Sequence, residues 1–211
     1  MIYSAQKGAT IMNVLLINGS TRREGCTAAA LGVVAETLRN EGMESEIVWV
    51  GKDPVRDCTG CLACRKLDNA CVFGDDQVNG LIRKAKAADG FVFGSPVYFS
   101  NATGALHCLL NRMFYSSSAV FRGKPGAVLV SARRAGTTAS LESLYQYLAY
   151  CEMPIVTSSY WNMVHGFTPA DVEKDLEGLQ TLRNLGRNMA WQLKCLQAAK
   201  DAGLVKPANE Y

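Results

Sequence analysis

The chain has 211 residues, a formal net charge of +3 and eight cysteines. That length suits one well-buried domain, and the interspersed acids and bases leave neither a basic stripe for nucleic acid nor an acidic tail. No apolar run reaches membrane-spanning length and no basic segment followed by an apolar stretch opens the chain. A cytoplasmic protein with reduced or metal-bound thiols is therefore expected, not a disulfide framework.

Residues 1–11 read as an extension, with Met12 a candidate start, and residues 204–211 as a tail; 12–203 read as one domain. The first element is the short apolar run Asn13–Asn18, a buried strand that breaks into Gly19-Ser20-Thr21-Arg22 and re-forms as a helix over Thr27–Glu41, stopped by Gly42. A second strand is expected at Ser45–Val50, then a long loop, Gly51–Gly74, with four of the eight cysteines. Asp75 and Asp76 read as the cap and first-turn acid of a second helix running to about Ala88. Strand three is expected at Phe91–Phe93, helix three at Thr103–Tyr115, strand four at Lys124–Ser131 about the run Gly126–Val130, and helix four at Thr138–Tyr150. Strand five is expected at Ile155–Ser158, and one long helix from Ala170 to Ala202 carries the stripe Val172, Leu176, Leu179, Leu182, Leu185, Met189, Leu193 and Leu196. Five strands alternating with helices imply an α/β fold: a doubly wound parallel sheet with helices on both faces.

In such a sheet the ligand lies beyond the carboxyl ends of the strands, where the three unusual loops fall: 19–26, 94–101 and 131–137. The first has the makings of a phosphate cradle, because a helix N-terminus offers unpaired N–H groups and a partial positive charge. It is neither a P-loop, since no Gly-Lys-Ser/Thr follows Gly19, nor a dinucleotide fingerprint, since only Gly19 and Gly25 are present. Hydroxyls plus one arginine suit the single phosphate of a mononucleotide. In the second loop Pro96 fixes the backbone, Val97–Ser100 are expected to offer N–H groups to a flat heterocycle, and Tyr98 and Phe99 to cover its face.

Gly19-Ser20-Thr21-Arg22, Gly25-Cys26-Thr27 and Gly94-Ser95-Pro96-Val97-Tyr98 resemble the flavodoxin-like NAD(P)H-dependent FMN reductases. Cys58-Thr59-Gly60-Cys61-Leu62-Ala63-Cys64 with Cys71, the run 131–137 and the run 160–166 resemble their iron–sulfur flavoprotein branch, over nearly the whole chain. The resemblance implies strand order 2-1-3-4-5. It implies FMN held at the phosphate by Ser20, Arg22, Gly25, Cys26 and Thr27, at the ring by Pro96, Val97, Tyr98 and Phe99, and on the far side by Ser131, Arg133, Arg134 and Gly136. Cys26 departs from the family, in which Asn or Gly is more usual, and Tyr98-Phe99 from a more frequent His-aromatic pair. NAD(P)H is the implied co-substrate, a small molecule or ferredoxin-type protein the implied electron partner, and a homodimer or homotetramer the implied assembly.

The cysteines run Cys-x2-Cys-x2-Cys-x6-Cys within fourteen residues, Cys58, Cys61, Cys64 and Cys71. Three thiols at successive threes suit the corners of a [4Fe–4S] cubane, ahead of unligated thiols and of zinc, whose knuckles usually stand farther apart. Cys108, Cys151 and Cys195 read as core fillers and His107 as structural, while His165 falls near the expected ligand edge. The function expected is an FMN-dependent oxidoreductase taking hydride from NAD(P)H. A ferredoxin-served iron–sulfur electron carrier and a cysteine-based redox sensor are the alternatives. The chemistry is flavin-borne, so no side chain is assigned as catalytic.

Overall fold

A computed structural model describes residues 11–210; the extension expected over 1–11 lies, but for Ile11, outside them. Strands β1 (Asn13–Asn18), β2 (Glu44–Trp49), β3 (Gly90–Pro96), β4 (Gly126–Ala132) and β5 (Met163–His165) form one five-stranded sheet. Its order is β2-β1-β3-β4-β5 and every pairing is parallel. Because β3 and β4 are covered on both faces, they read as near-continuous apolar runs rather than as an alternation. β2 is one of the two edge strands and keeps its exposed glutamates.

Helices α1 (Cys26–Asn40), α5 (Pro169–Val172) and α6 (Leu176–Asp201) cover one face. There Leu31, Val34 and Leu38 of α1 meet Leu182, Leu185 and Met189 of α6 over Val14, Leu16, Val92 and Leu129. Helices α2 (Val78–Ala87), α3 (Gly104–Phe121) and α4 (Thr137–Tyr150) cover the other. Leu81, Ile82, Leu106, Leu109, Met113, Leu141 and Leu144 pack there on Leu15, Ile17, Phe91, Phe93 and Val128. Full burial of each such side chain contributes about 1.5–3 kcal/mol, which fixes strand register.

Three elements depart from the sequence reading. Ile155–Ser158 is not a strand: it makes one bridge, Gly126 with Ile155, and then leaves the sheet. The Thr157 carbonyl is taken by Asn188 Nδ2 at 2.8 Å, and Ser158 Oγ donates to the Thr181 carbonyl at 2.6 Å, so α6 holds this run off β4. The chain returns at Asn162, whose Nδ2 donates to the Val128 carbonyl at 3.0 Å, and pairs as Met163–His165. Second, the last helix is broken. Thr168 and Asp171 form a capping box for α5, and Asp175 then caps α6, its Oδ1 accepting from the Gly178 N–H at 3.0 Å. Leu176, expected in the apolar stripe, is exposed at this new start. Third, Asp75 and Asp76 precede α2 and do not open it; Asp76 Oδ1 accepts from the Val78 N–H at 3.1 Å, while Oδ2 is engaged elsewhere. Among the described residues no helix is long and apolar enough to cross a membrane.

Candidate flavin and cysteine sites

The turn from β1 into α1 is held from three sides. Gly19 N–H donates to the Gly94 carbonyl at 2.8 Å, Thr103 Oγ1 donates to the Gly19 carbonyl at 2.7 Å, and Trp49 Nε1 donates to the Ser20 carbonyl at 2.7 Å. Gly19 sits so close to α3 that a Cβ there would meet Leu106 at 2.9 Å. Ser20 is buried; its Oγ accepts from the Arg22 N–H at 3.1 Å and its own N–H donates to Asn18 Oδ1 at 3.1 Å. The loop is thus rigid before any ligand arrives. α1 then starts at Gly25 with no side-chain cap and no acid in its first turn. Its N-terminal donors and the positive end of its dipole are therefore left without a capping carboxylate.

A cavity of about 200 Å³ opens at this helix end. Ser20, Arg22, Gly25, Cys26 and Thr27 line it from the β1 loop, Pro96, Val97 and Tyr98 from β3, and Ser131 and Arg133 from β4. Those are ten of the thirteen positions that the family resemblance implies for cofactor contact. Thr27 Oγ1 and Ser131 Oγ lie 2.8 Å apart, tying α1 to the end of β4 beneath the cavity floor. Thr21 Oγ1 and Tyr98 OH, 3.3 Å apart, close its rim.

Phe99, Arg134 and Gly136 do not line the cavity. Phe99 and Ser100 are the central pair of a tight turn with φ of 52° and 59°, closed by paired hydrogen bonds between Tyr98 and Asn101, and the Phe99 ring stands free in solvent. Gly136, at φ 90°, caps α4 and touches that turn: a Cβ there would lie 2.8 Å from Ser100 Cα. Arg134 gives its carbonyl to His165 Nε2 at 3.1 Å. The amides of Val97 and Tyr98 are not free for a heterocycle, because they donate to the Ser131 carbonyl and the Asn101 carbonyl, both at 2.9 Å. Three lining residues escape the sequence reading: Ala132, Gly166 and Phe167, the last two delivered by the unforeseen β5. Burial pushes the Cys26 thiol up despite its helix-end position, and Sγ rests 3.6 Å from the Gly166 carbonyl. It is a packed thiol, not an acidified one.

Cys58, Cys61, Cys64 and Cys71 line a second, separate cavity together with Phe73, Arg112 and Tyr115. All four are free thiols, and Cys61 is exposed. Among the described residues no three His, Cys, Asp or Glu side chains converge to hold one metal ion. The space enclosed is about 20 Å³, room for about one water. Four thiols are the donor set that a [4Fe–4S] cluster takes, and Cys61 lies on the exposed turn between Gly60 and Leu62, at φ 66° and 59°. Cys151 is buried as expected and burial pushes its thiol up to about 11, but Cys195 is exposed and Cys108 only half-buried, so neither is a core filler.

A hydrogen-bonded chain joins the two regions. Asn101 Oδ1 lies 3.1 Å from His107 Nε2, and His107 Nδ1 lies 3.1 Å from Tyr147 OH. Tyr147 donates to Asn111 Oδ1 at 2.6 Å, Asn111 Nδ2 donates to Asp57 Oδ1 at 2.8 Å, and that oxygen accepts from the Cys58 N–H at 2.7 Å. Burial lowers the His107 pKa, opposed by the Asp57 charge; burial, then Asp57 and Cys108, push Tyr147 up to about 12. A larger groove of about 900 Å³ lies at the amino ends of β1 and β2, lined by Asn13, Glu44 and Glu46. It is remote from the strand ends where α/β sheets bind ligands.

The model of the NADPH-dependent FMN reductase family matches residues 12–168. An iron-sulfur flavoprotein of Methanocaldococcus jannaschii is 31% identical over 88% of this chain and 100% of its own. The iron-sulfur flavoprotein of Methanosarcina thermophila is 27% identical over 90% and 100%. Among solved structures, a flavodoxin, WrbA-like protein from Agrobacterium tumefaciens superposes with a TM-score of 0.61 at 13% identity, over 87% of this chain and 98% of that one, a likeness of fold.

Proposed function

The chain belongs to the NADPH-dependent FMN reductase family, and on that premise we propose that this FMN-dependent oxidoreductase takes hydride from NADH or NADPH and passes electrons to a small molecule or a protein. The observation that carries the reading is the strand-end cavity with the uncapped, acid-free N-terminus of α1 on its wall. Bound FMN supplies hydride acceptance and electron release; the protein supplies placement. Arg22, the α1 amides and the Ser20 and Thr27 hydroxyls hold the phosphate. Pro96 and the Tyr98 side chain bound the ring edge, and Ser131 and Arg133 lie across from them. Phe167 stands exposed at the rim.

The four-cysteine cavity favours a second reading, in which the chain is an iron–sulfur flavoprotein electron carrier served by ferredoxin. Cys58, Cys61, Cys64 and Cys71 would hold a [4Fe–4S] cluster, which supplies one-electron transfer. The exposed Tyr160, Trp161 and Phe167 suit a homodimer or homotetramer that closes the rim with a second subunit, which sedimentation would test. The experiment that separates the two functional readings is bleaching of the flavin absorbance under argon. Bleaching by NADH or NADPH at a rate that supports turnover carries the reductase. Bleaching by reduced ferredoxin alone carries the second reading.

A further inference from the structure

α3 carries an arginine at the flank of its apolar face. Arg112 lies beside Leu109 and Met113, and its side chain is wholly excluded from solvent. A buried guanidinium is costly unless its donors are met. Here they are met by one stretch of chain. Nη1 pairs with Asp76 and donates to the Arg56 carbonyl at 3.3 Å, and Nη2 donates to the Phe73 carbonyl at 3.1 Å. These acceptors flank the cysteines in sequence, so one side chain fastens both ends of the cysteine loop to α3.

The fourth contact differs in kind. Nε points at Cys71 Sγ, 3.4 Å away. Three oxygen acceptors already meet the guanidinium, and a neutral thiol is a weak acceptor. The contact becomes strong only when the sulfur carries negative charge, as a thiolate bound to iron does. Cys71 is also fixed through its backbone: its N–H donates to Asn79 Oδ1 at 2.8 Å and its carbonyl accepts from Asn79 Nδ2 at 2.9 Å. Cys61, by contrast, sits on the exposed turn. The site therefore has one sulfur fixed from several sides and another on an exposed turn.

We propose that Arg112 is a positioning residue of the four-cysteine site, fixing Cys71 as its anchor and holding an N–H and a positive charge against the sulfur so that a cluster there is more readily reduced. This rests on the cluster reading above. The direction follows from electrostatics: reduction adds one electron to an already anionic cluster, and a nearby cation with a hydrogen bond to sulfur stabilises the added charge.

The test uses the full chain purified anaerobically with its FMN, as wild type, Arg112→Gln and Arg112→Lys. Iron and sulfide per chain are assayed, and the cluster midpoint is read by EPR during a dithionite titration. FMN content and far-UV circular dichroism control for folding, since Arg112 does not line the strand-end cavity. Arg112→Gln is expected to lower the one-electron reduction equilibrium at least tenfold, a 59 mV drop, and to reduce iron per chain. Arg112→Lys, which keeps the charge but not the directed N–H, is expected to fall between. An unchanged midpoint and iron content in Arg112→Gln overturns the inference and leaves the cluster standing. Should Arg112→Gln lose its FMN, a wild-type midpoint in Arg112→Lys overturns it equally. A wild type without iron and sulfide overturns the cluster reading, and the inference with it.

Discussion

Arg22 offers the sharpest test of the strand-end cavity. It lines the cavity beside the α1 N-terminus and, among the described residues, makes no salt bridge. Its guanidinium is therefore free to pair with a phosphate. A hydrogen bond to a charged group contributes about 1.5–3 kcal/mol. Because Arg22 is exposed, screening keeps the value near the lower end, about 1.5–2 kcal/mol, or tenfold to thirtyfold in Kd. The α1 dipole and amides stay in place in Arg22→Ala, so binding is weakened and not abolished. The assay is fluorescence titration of apoprotein with FMN and with riboflavin, which lacks the phosphate. Wild type should prefer FMN, and Arg22→Ala should lose tenfold to thirtyfold for FMN with little change for riboflavin. Arg23→Ala, whose guanidinium lies over the Trp49 ring at 5.9 Å, serves as the charge control and should bind FMN as wild type does. Equal losses for both ligands in Arg22→Ala would refute the phosphate assignment.

Other substitutions probe the supports of that cavity. Gly136→Ala combines a left-handed φ with a Cβ 2.8 Å from the Ser100 backbone; a cost of about 2–4 kcal/mol is expected, read in thermal melts, and a wild-type melting curve would refute the close approach. Thr103→Val removes the N-cap acceptor for the Leu106 N–H at 3.3 Å and the donor to the Gly19 carbonyl. It should cost about 1–3 kcal/mol, with most recovered in Thr103→Ser, whereas equal losses in both would exclude the hydroxyl as the cause. His107 titrates below its ordinary value of 6.5 because burial disfavours the cation. The unfolded chain therefore binds the proton first, and the stability contributed by neutral His107 is complete above 6.5 and is lost as pH falls through the lower folded value. The fall in melting temperature from pH 7.5 to 5.5 should be shallower in His107→Gln; parallel slopes would remove His107 from the account.

The fold was legible because its two signals are local. Apolar runs such as Val14–Ile17 and Phe91–Phe93 pack on both faces of the sheet, so burial pattern and strand identity coincide. The loops after β1, β3 and β4 then had to fall at the same sheet end, and the family resemblance named ten of the residues that they place around one cavity. Arg112 was not legible. Its period puts it at the flank of an apolar stripe where a long cation ordinarily reaches solvent, and only the tertiary return of Arg56 and Phe73–Asp76 over α3 buries it.

The error over the fifth strand has a physical cause that bears on the site. Ile155-Val156 is the better strand by propensity, and it does reach β4, with the Val156 N–H donating to the Gly126 carbonyl at 2.8 Å. What draws it away is α6: Asn188 Nδ2 donates to the Thr157 carbonyl and the Thr181 carbonyl accepts from Ser158 Oγ, and such long-range partners leave no mark in a local window. The pairing passes to Met163–His165, three residues too short to show a period. That late return carries the chain along β4 to its carboxyl end, where the Gly166 N–H donates to the Ala132 carbonyl at 2.9 Å and Phe167 meets the rim. Had Ile155–Ser158 been the strand in the register of the Gly126–Ile155 bridge, it would have ended beside Leu129, short of the carboxyl end of β4 at Ala132. The cavity would then lack its fourth wall. The same hydrogen bonds that defeated the sequence reading thus hold the run that leads to the fourth wall of the strand-end cavity, and loss of Asn188 or Ser158 should act on the cavity although neither residue lines it.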